Sequence, residues 1–262
     1  MTTSSSASSF ITTRRRVTVL LFTFTAGSVD AITYLRAHVF TANMTGNSVV
    51  LMLNIGQGRG LATASGLIAL ITFIAGVLLG AVLAGEAGDK VKTFSAVRRE
   101  VVVEAGCLLV FAIACLHPPS PSFHRSVIVV IASSGVAMGM QSAAVRRLSI
   151  PGVATTYITG TLTSLFAGLV HNWFTRQQRA AWKTSGQSAS HAPSMRHSVG
   201  LQAQVYFSYA LAALMSALLH NHWPFLTALL PLLAIMGIGI YMLFARPAAQ
   251  ISAVSPGRDI RA

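Results

Sequence analysis

Polar side chains crowd one short stretch of this sequence, although the residues on either side of it are apolar. In VFTANMTGNSVVL (39–51), Asn43, Thr45 and Asn47 lie within five positions, together with Gly46. Amides and hydroxyls can coordinate a solute or hydrogen-bond backbone groups freed by a broken helix, and glycine permits a turn. Backbone at membrane depth must be satisfied internally or line a cavity. The stretch is therefore predicted to line a solute path, with hydrogen bonding between helices as the alternative.

A second stretch repeats this pattern in the other half of the chain. TTYITGTLTSL (155–165) carries Tyr157, Thr159, Gly160 and Thr161 in an otherwise apolar setting. These residues offer the same chemistry, so they are predicted to line the same path, with the same structural alternative.

One acidic residue lies deep in an apolar segment. Of the six acids, five are expected in loops, tails or the first turns of a span, whereas Asp30 lies inside TAGSVDAITYL. A buried ionised carboxylate is costly unless it is paired, hydrated or protonated, so Asp30 is predicted to be a proton- or cation-responsive group. The alternative is a structural cap on the interrupted backbone near 43–47. Gln141 is the expected counterpart of Asp30 in the second half, and Gly27 keeps that face of the first helix thin.

The composition indicates a polytopic membrane protein. The chain is 53% hydrophobic and 10% charged, with a mean hydropathy of +0.64, whereas a soluble domain carries about 25% charged residues. The net charge of +13 could suggest nucleic acid. Most basic residues, however, lie between or beside apolar segments, where they set topology and contact anionic lipid headgroups. The expected partner is the lipid bilayer, and nucleic acid is not expected.

Catalytic and metal-binding patterns are missing from the sequence. All eight histidines lie in loops or near the ends of spans, without HExxH-type spacing, so neither a metal site nor a cofactor is predicted. Ser133 and Ser134 supply hydroxyls, but no span interior contains a histidine that could activate them. The protein is therefore not expected to be an enzyme.

The apolar segments define the domain organisation. A disordered basic segment is expected at 1–16, a single membrane domain at 17–244 and a polar tail at 245–262. The first apolar run continues to Leu35 and further spans follow, which favours a retained helix over a cleaved signal peptide. The apolar segments are expected at 17–35, 39–55, 61–85, 100–116, 126–145, 153–172, 203–220 and 224–244, with a charged loop at 86–99 and a basic loop at 173–200.

The positive-inside rule indicates which segments cross the membrane. If all eight segments cross with the N-terminus inside, 12 of the 19 lysines and arginines are cytoplasmic. If each of the two polar stretches enters and leaves the membrane on one side, 16 of the 19 are cytoplasmic. The predicted fold is therefore an all-α polytopic membrane protein with about six transmembrane helices and two re-entrant or broken segments. Both termini are then cytoplasmic, and the halves 17–116 and 126–244 form an inverted repeat. Gly76 and Gly80 are expected to allow close helix packing.

Three motifs occur in an order and at spacings that resemble a known family. AGSVDAITYL, VFTANMTGNSVVL and MGMQSAAVRRLSIPGVATTYITGTLTSL are similar to segments of the YoaK-like family of multi-pass bacterial membrane proteins, a domain of unknown function (1275). The resemblance covers roughly 17–244, and the basic loop at 173–200 is its least typical part. It implies an integral protein of the bacterial inner membrane, but no substrate or reaction.

These observations lead to two hypotheses about function. The first is a transporter or channel for an unidentified small solute, with the two polar stretches lining its path. The second is a non-transporting scaffold or lipid-interacting protein, whose polar stretches only join helices. A homo-oligomer is compatible with either hypothesis.

Overall fold

The computed structural model describes residues 3–84, 90–116, 124–148, 158–185 and 199–244, and these residues form helices without any β-strand among them. Helices satisfy their own backbone hydrogen bonds, which suits long apolar segments in lipid. The described helices are α1 (Thr3–Ala37), α2 (Met44–Gly56), α3 (Gly60–Ala84), α4 (Lys90–Cys115), α5 (His124–Leu148), α6 (Ile158–Ser185), α7 (Val199–His222), α8 (Pro224–Thr227) and α9 (Leu229–Phe244).

Four described segments are long and apolar enough to cross a membrane. They are Arg15–Ala37, Gly60–Leu83, Arg125–Arg147 and Val199–His222. Helix α9 contains a shorter apolar segment, Leu229–Met242, and α4 carries charged residues along its N-terminal half. Length and composition therefore indicate a multi-pass helical protein.

Three helices extend further than the sequence led us to expect. Helix α1 begins at Thr3, α4 begins at Lys90 and α6 continues to Ser185. Helix thus replaces the expected disorder at 3–16 and the expected loops at 90–99 and 173–185. Lys, Arg and Gln are good helix formers, so the hydrophilic sequences at 90–99 and 173–185 do not mark the end of a helix. Helix α6 also runs unbroken from Ile158, so the described part of 153–172 contains no break.

Two helix pairs, α1 with α7 and α3 with α5, form the frame of the molecule. A Cβ atom added to Gly76 would collide with the carbonyl oxygen of Val136, and one added to Gly27 would collide with that of Tyr209. At Gly80 an added Cβ would lie 3.0 Å from a side-chain atom of α5. All three glycines lie where small residues let two helices approach closely.

The remaining helices pack around this frame. Helix α4 lies against α5 and α9, α9 also contacts α1, α2 packs on α3, and α6 packs on α7. The apolar core is made largely by α1, α4, α5 and α9, which contribute the buried side chains Phe22, Leu108, Phe111, Met138 and Ile235.

Two hydrogen bonds between distant residues fix the relative directions of the helices. Arg36, in the last turn of α1, donates from Nη2 to the carbonyl oxygen of Cys115, the last residue of α4, over 2.6 Å. Helices α1 and α4 therefore end on the same side. Gln141, near the C-terminal end of α5, donates from Nε2 to the carbonyl oxygen of Phe22, in the first half of the α1 span, over 2.9 Å. Helices α1 and α5 therefore run antiparallel.

Candidate functional site

The carboxylate of Asp30 accepts four hydrogen bonds. Its Oδ1 accepts from the backbone N–H groups of Thr41 (2.9 Å) and Ala42 (2.7 Å). Its Oδ2 accepts from the backbone N–H of Asn43 (2.9 Å) and from the hydroxyl of Tyr209 (2.7 Å). Asp30 is only 2% exposed. A single side chain of α1 thus fixes the chain that leads into α2, together with a residue of α7.

The chain breaks and reverses between α1 and α2. The N–H of His38 donates to the carbonyl oxygen of Tyr34 over 2.9 Å, and His38 then takes a φ of 52°, in the left-handed region. Residues 38–43 are not helical. The rings of Tyr34 and Phe40 stack with their centroids 5.0 Å apart, which holds the reversed chain against α1.

The start of α2 has a local cap as well as the carboxylate. Asn43 is the N-cap residue, and its Oδ1 accepts from the N–H of Gly46 over 3.2 Å. A Cβ added to Gly46 would lie 3.1 Å from Nδ2 of Asn43 and 3.4 Å from the ring of Phe40, so glycine suits this tight turn. Asp30 adds a negative charge at the positive end of the α2 dipole.

The depth of this junction follows from helix geometry. Asp30 precedes the end of α1 at Ala37 by seven residues, which is about 10 Å along the axis. Helix α2 has 13 residues, so it is about 20 Å long, less than the roughly 30 Å hydrocarbon core of a bilayer. The three backbone N–H groups therefore lie well inside the span that α1 defines.

Two polar atoms beside this junction lack a partner in the described part of the chain. Asn47 is 1% exposed and donates from Nδ2 to the carbonyl oxygen of Gly66 over 3.3 Å, while its Oδ1 has no hydrogen-bond partner there. The same holds for the buried hydroxyl of Thr41. Thr45, in contrast, is exposed and points away from the interior. The buried polar atoms that lack such a partner in the first polar stretch therefore belong to Asn47 and Thr41, whereas Thr45 is exposed.

The second polar stretch is built differently. Gln141 is completely buried and bonded to α1, but Tyr157 lies outside the described residues. Thr159 and Gly160 occupy the first turn of α6, where Thr159 is exposed, and Thr161 is buried. Helix α6 packs on α7 and α2 packs on α3, so the described parts of the two stretches lie on different helix pairs.

A metal site or a chemically equipped cavity is not evident in the described ranges. No group of three His, Cys, Asp or Glu side chains there could hold a metal ion. A cavity of about 620 Å³ lies between α6 and α7, lined by Leu169, Val170, Asn172, Trp173 and Val199. None of these side chains is titratable, so the junction at Asp30 remains the better candidate.

Tyr209 is the member of this site that the sequence analysis missed. It lies 179 residues after Asp30, in the apolar segment VYFSYALAAL, where a tyrosine resembles ordinary packing. A buried tyrosine hydroxyl normally needs a hydrogen-bond partner. That requirement was the available signal, because the hydroxyl needs an acceptor and Asp30 is one of the few acids within the apolar segments.

The fold and the site together define a polytopic α-helical membrane protein with a short helix, α2, that packs on α3 and is held at its N-terminus by Asp30. Residues 18–242 match the family described as protein of unknown function (DUF1275). The chain is 34% identical over 228 residues to the UPF0700 transmembrane protein YoaK of Bacillus subtilis (strain 168), a match that covers 86% of this chain and 92% of that protein. This chain belongs to the DUF1275 family. No solved structure matches it.

Proposed function

We propose that this protein is a transporter or channel for a small solute in the bacterial inner membrane. In this proposal six helices cross, two segments are re-entrant, and the two halves form an inverted repeat. The observation that carries the proposal is the short helix α2, whose N-terminus is held at depth by Asp30. Interrupted helices near the midplane are where transporters bind their substrates.

The direction of α4 supports a re-entrant α2. If both α2 and α3 crossed, α4 would run opposite to α1 and would end on the opposite face. The hydrogen bond from Arg36 to the carbonyl oxygen of Cys115 requires the two helices to end together. With α2 entering and leaving by one side, α3 alone crosses between α1 and α4, and their ends coincide.

The register of α5 supports the same topology. Gln141 lies six residues from the end of the α5 span and Phe22 lies seven residues from the start of the α1 span, so each is about 10 Å from the face on which Arg15 and Arg147 lie. Their hydrogen bond fits antiparallel helices. Parallel helices, as eight crossings require, would separate the two residues by about 14 Å along the membrane normal.

The packing pattern supports an inverted repeat. In this repeat α1 corresponds to α5, α2 to α6, α3 to α7 and α4 to α9. Under this correspondence the α1–α7 contact becomes the α5–α3 contact, and the α4–α5 contact becomes the α9–α1 contact. The α2–α3 contact likewise becomes the α6–α7 contact. The shift in residue number that takes Asp30 to Gln141 also takes Arg36 to Arg147. Each of these arginines donates to the backbone carbonyl oxygen of a residue at or near the C-terminal end of a neighbouring helix.

The site has a stated chemical preference in this proposal. The carboxylate of Asp30 neutralises the positive end of the α2 dipole, so this half-helix does not favour an anion. The oxygens of Asn47 and Thr41 are acceptors or hydroxyls, which suit a neutral or cationic solute. Asp30 acts by holding the re-entrant chain, and loosening its four hydrogen bonds opens the path.

Flux through purified protein in liposomes tests the proposal. Swelling is followed by stopped-flow light scattering with glycerol and urea, and cation entry by dye-loaded vesicles with Na⁺ and K⁺. We expect flux of at least one probe above protein-free vesicles, changed several-fold by Asp30→Asn, Asn47→Ala or Thr159→Ala. Ser48→Ala, which alters an exposed hydroxyl on α2 bonded only within its own helix, is the matched control. If all three variants match the wild type, the proposal fails.

Sidedness labelling tests the topology separately. In a chain with Cys107 and Cys115 replaced, a single cysteine at Ser95 should be protected from an impermeant thiol reagent until cells are opened. Labelling in intact cells would mean that 39–55 crosses as an ordinary helix, and the inverted repeat would have to be abandoned.

The satisfied state of Asp30 favours one alternative, a non-transporting scaffold or lipid-interacting protein. All four hydrogen bonds to its carboxylate come from the protein itself, which is what a purely structural cap requires. Under this alternative Asp30→Asn lowers thermal stability or changes the oligomeric state, and no probe shows a flux.

A further inference from the structure

A second buried acid lies inside the bundle, on α4. Glu104 is the fifteenth of the 26 residues of this helix and has no solvent exposure. Neither of its carboxyl oxygens has a hydrogen-bond partner in the described ranges. Buried polar groups are nearly always hydrogen-bonded, so two unpartnered carboxyl oxygens require an explanation.

Glu104 belongs to a small cluster of charged groups. Glu100, one helical turn earlier and also fully buried, forms an ion pair through Oε1 with Nη1 of Arg147 on α5. The other guanidinium nitrogen, Nη2, donates to the carbonyl oxygen of Gly80 on α3 over 2.8 Å. The side chain of Arg147 is 20% exposed, whereas that of Glu100 is not exposed. The cluster therefore extends from the buried Glu104 towards the surface at Arg147.

Few other titratable groups face this cluster. On α4 itself Cys107 lies near Glu104 and Arg99 interacts electrostatically with Glu100, although the side chains of Arg98 and Arg99 are exposed. Helix α5 contributes Arg147, and its neighbour Arg146 is exposed. The described residues of α3 include no titratable side chain, and those of α9 include only Tyr241.

The charge of an ionised Glu104 is not balanced without a further ligand. Arg147 is paired with Glu100 and Arg99 also acts on Glu100, so an ionised Glu104 would place a negative charge inside the bundle without a partner among the described residues, which is strongly unfavourable. A metal cation would need several oxygen ligands, and the described residues supply no third acid at this place. One proton removes the charge and needs no ligand beyond the carboxyl group itself.

We propose that Glu104, with Glu100 and Arg147, forms a proton-binding site that holds one exchangeable proton. The proton reaches Glu104 by way of Glu100 from the end of the bundle where Arg147 is partly exposed. Its use as the coupling ion rests on the proposed transport function, whereas the existence of the site does not.

Carbodiimide labelling tests the site without any transport assay. Dicyclohexylcarbodiimide dissolves in the apolar interior, and a protonated carboxyl adds across one of its C=N bonds. The O-acylisourea rearranges to a stable N-acylurea, so the peptide gains the whole reagent and nothing leaves. The full chain in liposomes is labelled between about pH 5 and about pH 9, and the modified peptides are quantified by mass spectrometry.

We expect Glu104 to be modified, with a yield that falls about tenfold per pH unit above its titration midpoint. Glu104→Gln should abolish this modification, and Glu86→Gln, in the segment between α3 and α4, should leave it unchanged. Size-exclusion chromatography verifies that each variant is folded. The wild-type yield alone decides the matter if a variant fails to fold: no modification of Glu104, or a yield independent of pH, overturns the proposal.

The two proposals fail in different ways. Labelling of Glu104 that depends on pH, without any wild-type flux, leaves the proton site standing and removes transport. Flux without labelling of Glu104 supports transport and removes the proton site. If Glu104 is labelled and the wild type also shows a flux, a pH gradient should accelerate that flux. Glu104→Gln should then abolish the acceleration, and the Ser48→Ala control should retain it.

Discussion

Two of the buried acids among the described residues, Asp30 and Glu104, have opposite surroundings. Asp30 on α1 accepts hydrogen bonds from three backbone N–H groups and one tyrosine hydroxyl, whereas Glu104 on α4 accepts none from the described residues. Both are at most 2% exposed. Burial alone therefore does not identify the acid that exchanges a proton. A carboxylate surrounded by donors stabilises a particular chain path, and a carboxyl without donors depends on a ligand.

The largest change in stability is expected at Asp30, and it distinguishes an acid that holds the chain from an acid that exchanges a proton. Asp30→Asn replaces an acceptor by an amide donor that faces a backbone N–H, so at least one buried donor loses its partner. We expect the free energy of unfolding to fall by about 3–5 kcal/mol, measured by denaturant unfolding in detergent. Glu104→Gln, the same chemical change on the other acid, is the control. A loss below about 1 kcal/mol would show that the hydrogen bonds do not hold the chain.

A smaller effect of opposite sign is expected on α4. Glu104→Leu removes an unpartnered carboxyl and keeps an apolar side chain of similar size, so the free energy of unfolding should rise by about 1–2 kcal/mol. The same unfolding experiment measures it. Destabilisation as large as that of Asp30→Asn would mean that Glu104 has a structural partner, and the contrast between the two acids would disappear.

The smallest change in stability should come from loss of the Tyr209 hydroxyl, which donates to Asp30. Tyr209→Phe removes one of four hydrogen bonds and keeps the ring, so a loss of about 1 kcal/mol is expected from thermal unfolding. Tyr206→Phe, a partly exposed tyrosine on the same helix, should change stability less. If Tyr209→Phe lowered the free energy of unfolding as much as Asp30→Asn, the stabilising interaction of Asp30 would be the one with α7 rather than those with the backbone of 41–43.

Only one of these two acids is conspicuous in the sequence. Asp30 stood out because apolar residues surround it on both sides in the sequence. Glu104 did not, because the charged residues of 90–99 resembled a loop and placed both glutamates near the start of a span. Helix α4 in fact begins at Lys90, and the spacing of Glu100 and Glu104 puts them on one helix face.

Contacts between distant residues account for the rest of what the sequence analysis could not supply. The all-helical class follows from local composition, and the described residues confirm it. The polar stretch led us to expect the interruption near 43–47, whereas the non-helical residues are 38–43 and α2 begins at Met44. The partners Tyr209 and Arg147 do not follow from local composition, because each comes from a different helix far along the chain. The end of α6 at Ser185 was also unpredictable, since a basic sequence can be a loop or a helix that continues into water.

The pairing of α1 with α7 and of α3 with α5 has a consequence for biosynthesis. Each pair joins one helix from either half of the chain, so neither half can complete its own packing when it leaves the ribosome. The N-terminal half must wait in the bilayer, with the glycine face of α3 and the Asp30 junction lacking their later neighbours, until α5 and then α7 are translated. Expression of the halves as separate polypeptides should therefore yield folded protein only when both are made in the same cell.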